Sequence, residues 1–126
     1  MRWLGLFKDG QIVCMAAMIE DVCGCSEMYV NEIQSFVSGK GYGKMMLQAI
    51  CKKFPDVWWI KDFSADDSLT EYYRSLPFVS EHSWTSPNGL RLHAFYQASS
   101  DEMEKEICDG AERNFSGPSS FHWPEA

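Results

Sequence analysis

The sequence predicts one α/β domain: a mixed, mostly antiparallel sheet with one central parallel strand pair flanked by helices, plus a C-terminal helical and aromatic tail. Three observations support this fold class. Asp9-Gly10 separates two alternating apolar runs, which is typical of a β-hairpin. A strand, a glycine-rich loop, a helix and a second strand follow in that order, which implies a right-handed crossover between parallel strands. A further hairpin around residues 86–89 closes the sheet.

The first three strands are predicted from the alternation of apolar and polar residues. Residues 2–7 and 11–19 form the first hairpin, and residues 20–27 form a loop that contains two cysteines. Residues 28–37 predict a third strand. One face of this strand is expected to carry Tyr29, Ile33 and Val37, and the other Val30 and Phe36.

Apolar residues at helical spacing predict a helix over residues 44–54, which Pro55 ends. Its expected core face consists of Met46, Leu47, Ile50, Cys51 and Phe54. Residues 57–60 are continuously apolar, as in a strand buried on both faces. A second helix is predicted from residues 66–68 to Leu76, and residues 78–86 and 90–96 form the closing hairpin.

The C-terminal segment differs in character, so we divide the chain into a domain, residues 1–96, and a tail, residues 97–126. Residues 99–102 offer a capping box for an acidic helix that extends to about residue 112. Its narrow apolar stripe consists of Met103, Ile107 and Cys108, and Phe115, Phe121 and Trp123 follow it. Two alternatives stay open: the tail packs on this chain or on a second copy in a homodimer, or it is a disordered acidic segment.

Composition excludes several classes of protein. The 126 residues are 45% apolar, enough for the core of one domain, and no stretch approaches the ~20 apolar residues of a membrane span. Residues 1–9 meet charge too early for a signal peptide. With no export signal, we expect the five cysteines to be reduced and the protein to be cytoplasmic.

The net charge of −7 is concentrated in the tail, which has seven acidic and two basic residues, against eleven and nine in residues 1–96. Neither part has a basic stripe that would neutralise phosphates, so we expect no nucleic-acid partner.

The glycine-rich loop over residues 38–44 is the most informative segment. Its glycines let backbone N–H groups converge beside a helix N-terminus, which suits an anion, although such a turn can also be purely structural. A Walker A loop needs four residues between its first glycine and Gly-Lys-Ser/Thr, whereas three separate Gly39 from Gly43, and Met45 occupies the hydroxyl position. A dinucleotide fingerprint needs G-x-G-x-x-G, and the loop has G-x-G-x-G.

Two segments carry a resemblance to a known family. The hexapeptide GKGYGK, residues 39–44, resembles the acetyl-CoA pyrophosphate loop of the GNAT N-acetyltransferase superfamily, Gln/Arg-x-x-Gly-x-Gly/Ala. DDSLTEYYRSLPF, residues 66–78, resembles the family's Asn-x-x-Ala-x-x-Leu-Tyr-Glu-Lys-Leu-Gly-Phe. The resemblance covers residues 1–96 and is to a compact form, because the family normally begins with a strand and two helices and this sequence begins at the hairpin that follows them.

The resemblance implies an acetyl-CoA-dependent N-acyltransferase whose acceptor is a primary amine, either a small molecule or a protein lysine or N-terminus. The pantetheine arm of CoA is expected between the strands 28–37 and 57–63, and its pyrophosphate on residues 38–44. Tyr73 falls on the acid that protonates the departing thiolate, and Glu32 is the expected base. The implied cofactor-binding residues are Ser35, Phe36, Val37, Ser38, Gly39, Lys40, Gly41, Tyr42, Gly43, Lys44, Asp66 and Tyr73, with no metal.

Some of these positions depart from the family's pattern or have a structural alternative. Ser38 replaces Gln/Arg, Asp66 replaces Asn, and Pro77 replaces Gly. Glu32 also fits the exposed face of an edge strand, and Tyr73 also fits packing on the sheet. The alternative function is a non-catalytic GNAT-fold binding or regulatory module that acts through protein–protein contact, and a third is an acyltransferase directed at one protein lysine.

Other candidate residues give weaker signals. Cys23 and Cys25 lack a second Cys/His pair nearby and are interpreted as free thiols. His82, His93 and His122 show no metal-ligand spacing and are interpreted as surface or packed side chains. Cys51 lies on the predicted core face of its helix, so it is not expected to act as a nucleophile.

Overall fold

The computed structural model describes residues 1–60, 74–76, 79–87 and 89–115, which form an α/β fold with a six-stranded mixed sheet and a helix on each of its faces. None of the helices in these ranges is long and apolar enough to cross a membrane. The elements are β1 (Arg2–Lys8), β2 (Gln11–Glu20), β3 (Met28–Ser35), α1 (Tyr42–Lys53), β4 (Val57–Ile60), β5 (Ser80–Thr85), β6 (Arg91–Gln97) and α2 (Asp101–Asn114).

The strand order is β1-β2-β3-β4-β6-β5, and β3 and β4 are the one parallel pair among the described strands. The predicted mixed sheet with a central parallel pair is therefore confirmed. Helix α1 makes the crossover between β3 and β4. The predicted helix over residues 66–76 lies largely outside the described residues, although Leu76 is buried in the core.

Both predicted hairpins are present. Asp9 and Gly10 have φ values of 52° and 78°, the left-handed pair that a tight hairpin turn between twisted strands requires. In the β5–β6 hairpin the Ser86 N–H donates to the Leu90 carbonyl at 2.8 Å, and Gly89 has φ 87°. The local turn residues therefore set the register of both strand pairs.

Strand β3 differs from its prediction in length and in the assignment of its faces. It ends at Ser35 rather than at residue 37. Ala17 pairs with Glu32 whereas Met18 pairs with Val30, so Asn31 is an extra residue in β3, a β-bulge. A bulge shifts the alternation of side chains by one residue. Ile33 consequently packs on the opposite face of the sheet from Tyr29, and the expectation that they share a face was wrong.

Helix α1 covers one face of the sheet, and we call the cluster beneath it the α1-side core. The predicted apolar stripe is confirmed, because Met46, Leu47, Ile50 and Cys51 are buried and Phe54 is partly buried. The side-chain amide of Gln97 donates to the carbonyls of Cys51 and Phe54 at 2.8 and 3.1 Å. This ties the C-terminal end of α1 to β6.

Helix α2 covers the other face, over a cluster that we call the α2-side core. Its N-cap is Ser100, whose hydroxyl accepts the Met103 N–H at 3.1 Å. The expected capping box over residues 99–102 does not form, because Ser99 instead donates to Asp56 from its N–H and its hydroxyl. Its buried side consists of Ile107, Gly110 and Ala111, with Phe115 following, whereas Met103 and Cys108 are only partly buried. The buried face of α2 is therefore rotated relative to the predicted stripe and follows positions 107, 111 and 115. The prediction was wrong for Met103 and Cys108.

The α2-side core is rich in aromatic rings. Tyr29 and Trp58 meet edge to face with centroids 4.4 Å apart, and the Phe115 ring lies 5.6 Å from Trp58. Burial of each such side chain stabilises the fold by roughly 1.5–3 kcal/mol. Residues 101–114 are thus a helix docked on the sheet of the same chain. For this segment, packing on the same chain is the alternative that the structure supports, and a disordered acidic segment is not. Phe121 and Trp123 lie outside the described residues.

The loop before β3 is organised by a buried carboxylate. Glu27 is fully buried, and it accepts the Cys23 backbone N–H at 2.6 Å and the Trp58 indole N–H. Its own backbone carbonyl accepts the Asp21 N–H at 2.7 Å. These bonds satisfy polar atoms that would otherwise be costly to bury, and they hold Cys23 against α2.

Candidate functional site

Strands β3 and β4 separate shortly after they begin. Their parallel ladder consists of Met28 opposite Val57 and Tyr29 opposite Trp58. Beyond that point β3 follows β2 as far as Ser35, and β4 follows β6 as far as Ile60. The bulge at Asn31 lies two residues beyond the last ladder pair, and a bulge bends the strand that contains it. We call this opening the splay.

A cavity of about 110 Å³ occupies the splay, and it is lined by both strands and by α1. Leu47 and Trp59 are buried and supply apolar wall, while Asn31 and Glu32 supply polar atoms. The described parts of β3 and β4 share no ladder beyond Tyr29 and Trp58, so the two strands are not paired along the cavity. An extended ligand with amide groups can fill such a gap as an added strand does.

The glycine-rich loop lies at the open end of the splay. Gly39 and Gly41 have φ values of 75° and 72°, in the left-handed region where a side chain is strained. A Cβ atom at either position, or at Gly43, would meet nothing within 4 Å. The loop is therefore bare and open to solvent.

Helix α1 begins at Tyr42, two residues before the predicted start, so Tyr42 and Gly43 are helical rather than part of the loop. The left-handed Gly41 serves as N-cap, which is why the helix can start directly after it. No side chain caps this end among the described residues, and the first turn holds no acidic residue. The first helical bond runs from the Met45 N–H to the Gly41 carbonyl, at 3.1 Å.

The N-terminal end of α1 therefore has the properties of an anion site. The N–H groups of residues 42–44 have no acceptor within the helix, and the helix dipole places partial positive charge there. Lys40 and Lys44 are exposed beside it and form no ion pair with a described residue. All three contributions favour a phosphate or a similar anion.

The predicted contact residues at the end of β3 have mixed outcomes. The Phe36 N–H donates to the Val13 carbonyl at 2.9 Å, so β2 already uses it. The Ser35 hydroxyl donates to the Val37 carbonyl at 2.8 Å, and Phe36 and Val37 are exposed. Residues 35–44 follow the end of β3 in the chain, none of them lines the splay cavity, and the Phe36 N–H is not free for a ligand. Asp66 and Tyr73 lie outside the described residues.

Glu32 lies on β3 opposite Ala17 and lines the splay cavity. Its side chain is exposed, as the structural alternative expects, but β3 lies between β2 and β4, so the expectation of an edge strand was wrong. Glu32 is therefore both exposed to solvent and part of the lining of the splay cavity.

A polar cluster on β5 and β6 was missed by the sequence analysis. The His93 Nδ1 lies 2.7 Å from Glu81 Oε2 and 2.8 Å from the Ser83 hydroxyl. Arg74 donates to both oxygens of Glu81, at 2.9 and 3.2 Å. Ser83 and Glu81 contact the same ring nitrogen, whereas a serine–histidine–acid relay uses opposite nitrogens, so the cluster is not a hydrolase triad.

The signal that could have found this cluster is the register of the closing hairpin. A turn at residues 86–89 places Ser83 opposite His93, and strand alternation adds Glu81 to the same face. Phe95 shares this face, and its ring stacks on Trp59 of the splay cavity with centroids 6.1 Å apart. The cluster thus lies on the cavity side of the sheet.

The hydrogen bonds from Arg74, and then those from His93, lower the pKa of Glu81 below its ordinary value of 4.5. A carboxyl with a lowered folded-state pKa stabilises the fold above its unfolded pKa, and that contribution is lost as pH falls through the folded value.

Glu81→Gln is therefore expected to reduce the loss of unfolding free energy that wild type shows on acidification. Urea unfolding from about pH 7 to about pH 3 measures this. Glu102→Gln on the exposed start of α2 is the control, and equal acid sensitivity in wild type and Glu81→Gln would contradict the prediction.

The described thiols are poor nucleophiles. Desolvation raises the pKa of Cys51 to about 11, and the pKa of Cys25 is likewise raised to about 11 by desolvation and by Glu27. Both therefore stay protonated at neutral pH. All five cysteines are free, and within the described ranges no three His, Cys, Asp or Glu side chains are placed to share a metal ion.

In comparisons with known proteins, no family model matches the chain and no curated protein matches it.

Proposed function

We propose that the chain is an acetyl-CoA-dependent N-acyltransferase with a compact GNAT-like fold, acting on a primary amine. One observation carries the proposal. The gap between two parallel strands opens onto a bare glycine loop at the N-terminus of the helix that joins those strands. The gap suits an extended thioester arm with amide groups, and the loop suits the pyrophosphate that follows it. The mixed sheet with one central parallel pair supports the same assignment.

The chemistry requires two proton transfers and no covalent enzyme intermediate. The amine nitrogen attacks the thioester carbonyl carbon, a C–N bond forms, and the C–S bond breaks with its electron pair on sulfur. Glu32 at the splay cavity takes the proton that the amine nitrogen loses. Tyr73 donates its phenolic proton to the departing thiolate, since a phenol and a thiol have similar pKa values.

These roles are tested by measuring turnover with a panel of amines, detected as release of the CoA thiol. Tyr73→Phe is expected to lower turnover by about 100-fold with little change in CoA affinity, because it removes a proton donor and no binding group. Glu32→Gln is expected to flatten the acidic limb of the pH–rate profile. Tyr72→Phe and Glu102→Gln are the matched controls.

Each of the two catalytic assignments has its own contradicting outcome. An unchanged pH profile in Glu32→Gln removes that residue as the base, and full turnover in Tyr73→Phe removes the acid. Absence of turnover with every amine, while CoA still binds, favours the non-catalytic module instead.

That alternative function has an observation in its favour. Trp3 and Phe7 on the edge strand β1 are 57% and 66% exposed, and exposed aromatic surface on a sheet edge suits contact with another protein. Binding of CoA without turnover, together with capture of a defined protein partner that Trp3→Ser abolishes, would establish it.

A further inference from the structure

A second cavity, of about 390 Å³, lies beside the glycine loop and is separate from the splay cavity. It is formed between the end of the β1–β2 hairpin and the first turn of α1. Leu6, Phe7 and Met45 supply apolar lining, and Phe7 and Met45 are 66% and 47% exposed. The volume is in the range of cavities that hold small-molecule ligands. We call it the hairpin cavity.

Two lysines, Lys8 and Lys40, complete the lining of the hairpin cavity, and no acidic side chain is among the described residues that line it. Neither lysine forms an ion pair with a described residue. The Lys8 ammonium instead lies 5.9 Å from the ring centroid of Tyr42. The chain as a whole has a net charge of −7, whereas the described lining of this cavity is positively charged.

The position of the cavity relative to the anion site limits its occupant. Lys40 and Tyr42 flank Gly41, so the cavity begins where the glycine loop ends. A ligand that places a pyrophosphate on that loop can continue into the cavity without crossing the sheet. The cavity then offers an aromatic ring for stacking and two cations for a further phosphate.

We propose that the hairpin cavity binds the adenosine 3′-phosphate end of CoA. Adenine stacks against Phe7, and the 3′-phosphate binds Lys8 and Lys40. This inference rests on the proposed function, because it takes CoA as the molecule whose pyrophosphate occupies the glycine loop. It adds a selectivity: the protein distinguishes CoA from 3′-dephospho-CoA, which differ by that one phosphate.

Calorimetry of wild type with CoA and with 3′-dephospho-CoA tests the inference. We expect CoA to bind about tenfold more tightly, the usual scale of a charge-assisted phosphate contact. The double variant Lys8→Ala/Lys40→Ala is expected to erase this preference by weakening CoA alone. Lys52→Ala/Lys53→Ala removes the same charge at the far end of α1 and is expected to keep the preference. Both pairs of lysines are exposed, and circular dichroism checks folding.

The other outcomes overturn the inference. Equal affinity of wild type for the two compounds, or an intact preference in the Lys8/Lys40 double variant, removes the 3′-phosphate assignment. If Gly41→Glu still abolishes CoA binding in that case, the proposed function stands and only the inference fails. ATP that binds as tightly as CoA indicates a general nucleotide site, and wild type that binds no CoA removes both proposals.

Discussion

Gly41→Glu is expected to abolish CoA binding. The substitution places a carboxylate at the left-handed N-cap of α1, beside N–H groups that have no acceptor within the helix. A charge repelling a pyrophosphate charge at about 4 Å near a protein surface costs about 4 kcal/mol, which is a loss of roughly 1,000-fold in affinity. Calorimetry with CoA measures the loss.

Gly41→Gln is the matched control for that experiment. Its side chain has the same shape as glutamate and suffers the same left-handed strain, but it carries no charge. The difference between the two variants is therefore electrostatic. If both bind CoA with the affinity of wild type while folded, the pyrophosphate does not lie on this loop, and the cofactor assignment is lost.

Gly110→Ala is expected to destabilise the fold by about 1–3 kcal/mol, the usual range for overpacking. A Cβ atom at Gly110 would lie 2.4 Å from the Cys23 sulfur, 2.6 Å from its Cβ and 3.1 Å from its Cα. Because the Cys23 Cα is among these atoms, α2 or the loop that holds Cys23 must shift. Urea unfolding monitored by tryptophan fluorescence measures the change.

The sign of the change in unfolding free energy distinguishes a steric clash from ordinary helix propensity at Gly110. Alanine normally stabilises a helix relative to glycine by about 1 kcal/mol. Gly43→Ala in α1 is the control, because it is helical and its Cβ would meet nothing within 4 Å, and it is expected to be neutral or slightly stabilising. Cys23→Gly removes two of the three clashing atoms and should partly rescue Gly110→Ala in a double-mutant cycle. A stabilising Gly110→Ala would mean that α2 does not dock as described.

The features that the sequence predicted correctly are those set by neighbouring residues. The Asp9-Gly10 turn, the stripe of α1 and the apolar run of β4 all follow from local geometry and periodicity. The bulge at Asn31 has no such local mark, because it arises from how β3 fits β2, and it reverses the face on which Ile33 lies. The start of the splay could not be predicted for the same reason.

The stripe of α2 shows a second limit of sequence patterning. Hydrophobicity favoured Met103, Ile107 and Cys108 as the buried face. The observed contact instead uses Gly110 and Ala111, because small side chains allow the helix backbone to approach Cys23 closely. Small residues contribute little to an apolar pattern, and their value depends on the partner surface. The cluster of Glu81, Ser83 and His93 was missed for a related reason, since its members meet only through strand pairing.

The position of α2 in the chain has a consequence for biosynthesis. A nascent chain that has emerged as far as β6 holds β1 to β6 and α1, but Tyr29, Trp58 and Trp84 still lack the residues of α2 and Phe115 that pack on them. Translation at a few to about twenty residues per second leaves this aromatic face bare for on the order of seconds before Phe115 arrives. Exposed apolar surface of this kind favours aggregation of a partly folded chain, so docking of α2 closes the interval in which the aromatic face is accessible.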